Sequence, residues 1–148
     1  MFEENKPFKY VWQKEKDTGF LFIRTIGLIR GNDAHEYIAN YMRDVPRGEA
    51  GFMLCDNREA TGNSGEARRI FAKEWDAGEV YMAVFGTPSY YLPIVNLFHA
   101  GLKVLRPGTT GRSFTGEAEA RAWLAEQRNA YLERRGKTAK IGSSSPSA

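Results

Sequence analysis

The chain holds one cysteine, two histidines and no apolar run approaching the ~18 residues of a membrane-spanning helix. Each scarcity removes a class of protein. Cys55 has no partner for an internal disulfide, and inside the apolar run Phe52-Met53-Leu54-Cys55 it reads as a small core hydrophobe rather than a reactive thiol. Neither His35 nor His99 has a cysteine or carboxylate at metal-ligand spacing, and neither forms a nucleophile pair. Both read as surface histidines, and no metal or cofactor is expected. No Walker-type loop is present, and no GxGxxG follows a strand. Gly108-Thr109-Thr110-Gly111 has the composition of a phosphate loop but leads into a strand, so it reads as a connection. The start, Met1-Phe2-Glu3-Glu4-Asn5-Lys6, lacks the basic and apolar regions of a secretory signal, which implies a cytoplasmic protein. Excess charge is also small. The net charge is +3, much of it from Arg134, Arg135, Lys137 and Lys140, which argues against a dedicated nucleic-acid surface.

What the chain does have is core material: 42% hydrophobic and 13% aromatic residues in 148 positions, enough for one domain. Phe8 to Gln13 alternates loosely, Lys16-Asp17-Thr18-Gly19 supplies a turn, and Phe20 to Ile26 runs as a second strand, together an antiparallel hairpin. Asp33 and Glu36 have capping-box spacing for a first helix with Ala34, Ile38, Tyr41 and Val45 inward, ended by Pro46 and Gly48. Phe52 to Asp56 is short and apolar, as a strand covered on both faces should be. A polar loop, Asn57 to Gly62, leads to a second helix with Ala67, Ile70, Phe71 and Trp75 inward. Val80 to Phe85 is a fourth strand. A third helix runs from Pro93 to about Arg106, then a short edge strand at Arg112-Ser113-Phe114, then a last helix with Ala120, Trp123, Leu124 and Tyr131 inward.

The order ββαβαβαβα predicts an α/β fold: a mixed five-stranded sheet with an antiparallel N-terminal hairpin and four helices. Residues 1–7 read as an extension, 8–134 as the domain, and 135–148 as a basic, Ser/Pro-rich, disordered tail.

Two places carry candidate function. Asn63-Ser64-Gly65 opens the second helix, where a serine hydroxyl meets unpaired backbone N–H groups and the positive end of the helix dipole. Asn63 or Ser64 caps the helix there, and a phosphate on Ser64 would be stabilised at the same point. The third helix is apolar over about half its circumference, more than the ~100° stripe that sheet packing needs, through Ile94, Val95, Leu97, Phe98, Gly101, Leu102, Val104 and Leu105. That excess marks a deeply packed helix, a partner or self-association interface, or an apolar ligand groove.

The layout, the Asp56-ended third strand, the Asn63-Ser64-Gly65 triplet, Tyr81-Met82-Ala83-Val84-Phe85-Gly86 and Glu117-Ala118-Glu119-Ala120-Arg121-Ala122-Trp123-Leu124 resemble the STAS superfamily of anti-sigma-factor antagonists. The resemblance is closer still to the stand-alone SpoIIAA-like proteins, and it extends to the lipid-binding SEC14-type domain. It spans roughly residues 8–134. In STAS antagonists a partner kinase phosphorylates a serine in an Asp-Ser-Ser-Gly-like motif, which makes Ser64 the acceptor candidate, although Asn63 stands where a paired serine would. The resemblance implies a non-enzymatic regulatory module acting through protein contact, with Asp56, Thr61, Asn63 and Ser64 as the recognition residues. The alternative it implies is a binder or sensor of a small apolar ligand or lipid, with Tyr90, Tyr91, Phe98 and Leu102 lining the groove. A third reading, an enzyme using Asp56, Arg58 and Thr87 at the ends of parallel strands, rests on fold position alone.

Overall fold

The structure, a computed structural model, describes residues 9–75 and 78–143. The extension at 1–7 and the tail end at 144–148 lie outside the described residues. Five strands lie side by side in chain order. β1 (Lys9–Lys14) and β2 (Leu21–Ile29) form the antiparallel hairpin, and β3 (Gly51–Asn63), β4 (Val80–Phe85) and β5 (Thr109–Phe114) continue parallel to β2. The expected mixed five-stranded sheet with four helices is what the described residues form.

Sequential parallel strands joined by right-handed crossovers leave every connecting helix on one face of the sheet. α1 (Gly31–Asp44), α2 (Gly65–Glu74) and α3 (Leu92–Leu105) are those connections. α4 (Glu117–Ser143) follows the last strand and packs on β3 and β4, and its helix includes part of the stretch that the sequence read as a tail.

Strand alternation divides the core accordingly. Leu21, Ile23, Met53, Cys55, Val80 and Val84 point into a cluster with Tyr37, Tyr41, Phe71 and Trp75 of the crossover layer. Phe20, Phe52, Leu54, Ala83 and Phe85 point the other way, against Ala120 and Leu124 of α4.

Three local expectations are corrected. Asp33 is not the cap of α1 but its third residue. The helix starts after Arg30, whose N–H donates to Asp33 Oδ2 at 2.9 Å. The stretch Thr109–Gly111 belongs to β5 rather than to a connection. The largest change is in β3. The run Asn57–Gly62 is no loop but strand, paired with the second half of β2 through Ile26–Glu59, Gly27–Ala60, Leu28–Gly62 and Ile29–Asn63, with two register shifts. Against β4, pairing stops at Asp56 and Phe85. Seven residues of β3 therefore run past the end of its neighbour.

Candidate functional site

The overrun of β3 opens the site. Beyond Asp56 the strand has β2 on one side only, and the space β4 leaves is roofed by α2 and α3. A cavity of about 90 Å³ lies there. Its floor is Cys55, Asn57, Ala60 and Gly62 of β3 with Met82 and Val84 of β4. Its roof is Phe71 and Trp75 from α2 and Val95, Phe98, His99 and Leu102 from α3, with Tyr91 at the rim.

Gly62 has φ +135°, a conformation side chains rarely adopt, and a Cβ there would touch the Tyr91 ring at 3.4 Å. Bare backbone at Gly62 thus lets Tyr91 fold down over the overrun. Burial raises the Tyr91 phenol pKa, and the cation of Arg68 and a hydrogen bond from the Asn63 backbone oppose that shift.

Of the predicted groove residues, Tyr91, Phe98 and Leu102 line this cavity together. Tyr90 does not, and is 63% exposed. The helix above them is turned so that Val95, His99 and Leu102 face inward, while Ile94, Leu97, Val104 and Leu105 stand outward, Leu97 and Val104 at 74% and 80% exposure.

His99 is the residue that sequence reasoning misplaced. It is buried, not superficial, and neither ring nitrogen has a hydrogen-bond partner among the described residues. Burial lowers its pKa, so the imidazole is neutral near pH 7. The available signal was spacing: Val95, His99 and Leu102 stand at i, i+4 and i+7, one helical stripe. His35 stays at the surface, with Nδ1 3.4 Å from Glu74 Oε2.

Cys55 also reaches the cavity, but as a protonated thiol. Burial pushes its pKa up to about 12 against an opposing hydrogen bond from Tyr37. It has no nucleophilic character there.

The four recognition residues do not form one surface. Asp56 is 1% exposed, and two positions after Leu54 it lies on the α4 side of the sheet. Its Oδ1 accepts from the Arg58 backbone N–H at 3.1 Å and from Nε at 3.0 Å, and its Oδ2 accepts from the guanidinium at 2.7 Å. Burial alone would raise the Asp56 pKa, but the side-chain and backbone bonds from Arg58 outweigh it and hold the carboxyl below its ordinary value. The carboxylate is committed to Arg58, which also closes over Gly86 and the Phe85 ring. In this arrangement the Asp56 carboxylate and the Arg58 guanidinium are paired with each other.

Thr61 Oγ1 is buried and has no hydrogen-bond partner among the described residues. Asn63 lines the cavity. Ser64 is the cap of α2: its Oγ accepts from Ala67 N–H at 3.1 Å, and its own N–H donates to Ile29 O at 2.8 Å. The guanidiniums of Arg68 and Arg69 sit beside Gly65 at the same helix start.

Among the described residues no cluster of three or more metal-ligating side chains occurs, and no helix is long and apolar enough to cross a membrane.

No protein-family model matches the chain. No curated protein is significantly similar to it. Among solved structures, it superposes on an uncharacterized DUF3478-family protein with a SpoIIAA-like fold from Shewanella loihica PV-4, with a TM-score of 0.53 at 15% identity. The match covers 81% of this chain and 97% of that one. At that identity the likeness establishes the SpoIIAA-like fold and nothing about ligand or activity.

Proposed function

We propose that this SpoIIAA-like domain binds a small apolar ligand in the cavity beneath α3. The observation that carries the reading is the overrun of β3. It leaves unfilled a pocket walled by Cys55, Phe71, Trp75, Val84, Phe98 and Leu102, at a place where a well-packed core would be closed. An apolar wall with a few polar groups, here Thr25, Asn57, Asn63 and His99, is the usual make-up of a small-molecule site. Its size sets the ligand. An engineered cavity of about 150 Å³ takes benzene, so 90 Å³ holds only the last few carbons of an alkyl chain, with the rest of the chain leaving past Tyr91 at the rim.

Saturation-transfer NMR and thermal shift with hexan-1-ol test this. The wild type is expected to bind and to melt at higher temperature with the alcohol. Ala60→Leu, which fills the cavity from the floor, should lose both effects while keeping its circular dichroism. Equal binding by the filled variant would place the alcohol elsewhere and overturn the reading.

Regulation through protein contact is the second reading. The outward stripe of α3 favours it, because Ile94, Leu97, Val104 and Leu105 form an apolar strip that nothing among the described residues covers. Ser64, at a helix start flanked by two guanidiniums, is the position where a phosphate would be best tolerated.

A further inference from the structure

Next to the cavity, at the ends of β4 and β5 and against the first half of α3, runs a second and more open groove. Thr87, Ser89, Asn96, His99, Arg112 and Ser113 contribute its polar lining. His99 is the one residue that the two linings share.

Three features set the groove apart. First, Thr87 Oγ1, Ser113 Oγ and both ring nitrogens of His99 are buried without a partner among the described residues, and all belong to this one groove. Buried polar groups are nearly always paired, so a cluster of orphans around one concavity marks the place of a polar ligand. His99 is the firmest of them, at 7% exposure. Second, the charge has one sign. Arg112 is the charged residue that lines the groove, and no Asp or Glu lines it among the described residues. Third, Arg112 is exposed and stacks on Phe114, with its guanidinium 5.3 Å from the ring centroid and in no ion pair among the described residues. At the start of α3 the Leu92 and Ile94 N–H groups already donate to Pro88 O and Tyr91 O.

We infer that the groove takes the oxyanion head, phosphate or carboxylate, of an amphiphile whose short apolar chain occupies the cavity, with His99 touching the junction of head and chain. The inference rests on the apolar-ligand reading and adds the chemistry of the other end of the ligand. Hydroxyl donors from Thr87 and Ser113, one imidazole N–H and a guanidinium make a donor set suited to oxyanion oxygens. A neutral alcohol satisfies at most part of it.

Calorimetric titration of the full chain with hexyl phosphate, hexan-1-ol and inorganic phosphate separates the two claims. The expected order is hexyl phosphate at least tenfold tighter than hexan-1-ol, with inorganic phosphate a weak competitor. His99→Phe keeps a ring of similar shape and removes both orphan nitrogens. It should melt at higher temperature when free, yet shrink the phosphate-over-alcohol preference to within about twofold. Should that variant misfold, Ser113→Ala with Arg112→Ala, outside the cavity, should weaken hexyl phosphate about tenfold and hexan-1-ol by no more than about twofold. Equal binding of hexyl phosphate and hexan-1-ol to the wild type would overturn the head-group site and leave the cavity reading standing. Binding of neither would overturn both. Inorganic phosphate as tight as hexyl phosphate would overturn the amphiphile in favour of a free oxyanion.

Discussion

The imidazole of His99 fills the space that a side chain at position 111 would need: a Cβ on Gly111 would lie 2.1 Å from Nδ1. α3 touches the sheet mainly through β5, so this contact sets how closely the helix approaches. Gly111→Ala should destabilise the domain by about 2 kcal/mol through overpacking. In the background of His99→Ala the same substitution should cost much less, a coupling that denaturant melts of the four proteins would measure. Equal cost in both backgrounds would show that α3 is positioned by something else.

Arg121 in α4 ties the last helix to the first turn of the chain. Its guanidinium donates to both carboxylate oxygens of Glu15, at 2.9 and 2.6 Å. The Arg121 bond is the main cause holding the Glu15 pKa below its ordinary value; burial opposes it and Thr18 assists it. Because the folded value is depressed, the unfolded chain binds the proton more readily. The contribution is complete above the ordinary Glu pKa of about 4.3 and is lost as pH falls through the folded value. Arg121→Ala should therefore cost about 1 kcal/mol at pH 7 for a partly exposed pair. The gap between the two proteins should narrow progressively in melts taken at successively lower pH below about 4.3.

Ser64→Ala removes an acceptor for the first turn of α2 and should cost about 1 kcal/mol. If a kinase acts on this domain, the same variant should take up no phosphate while remaining folded. Phosphate incorporation that persists in Ser64→Ala, located by peptide mapping, would remove Ser64 as the acceptor.

Leu97 and Val104 stand on the outer face of α3 and contribute nothing to the core. Leu97→Asp and Val104→Asp should each change stability by less than about 0.5 kcal/mol. If the strip joins two copies, sedimentation velocity should find a dimer in the wild type and a monomer in either variant. A monomer throughout would leave the strip to another partner.

Element type was legible wherever apolar residues repeated at the period of a strand or helix. That is why the hairpin, the four helices and the central strands stood out. The seven residues after Asp56 did not. Asn57-Arg58-Glu59-Ala60-Thr61-Gly62-Asn63 has the composition of a turn, and its extended shape comes from pairing with distant β2 rather than from its own propensity. With no β4 beside them, these residues tolerate polar groups that a central strand would exclude.

The site inherited that blindness, since the cavity exists only because two neighbouring strands end at different heights. Tyr91, Phe98 and Leu102 were readable as a helix stripe and its lead-in. The inward turns of Tyr91 and His99 are allowed by Gly62 and Gly111, whose missing side chains carry meaning only once the strands are placed. Asp56 was legible as the end of the apolar run but not as a residue inside β3 paired with Arg58, because Arg58 belonged to the supposed loop.

Strands that lie in the sheet in the order they are made allow assembly in step with synthesis. Each βα unit can dock on the edge left by the one before it, without waiting for a distant segment. α4 is the exception. Until the chain past Glu117 has left the ribosome, the sheet has all five strands but Phe20, Phe52, Leu54, Ala83 and Phe85 face water. The last helix therefore decides whether a nearly finished chain stays in solution or sticks to others like it, and a break in translation between β5 and α4 is the most hazardous point in the protein's making.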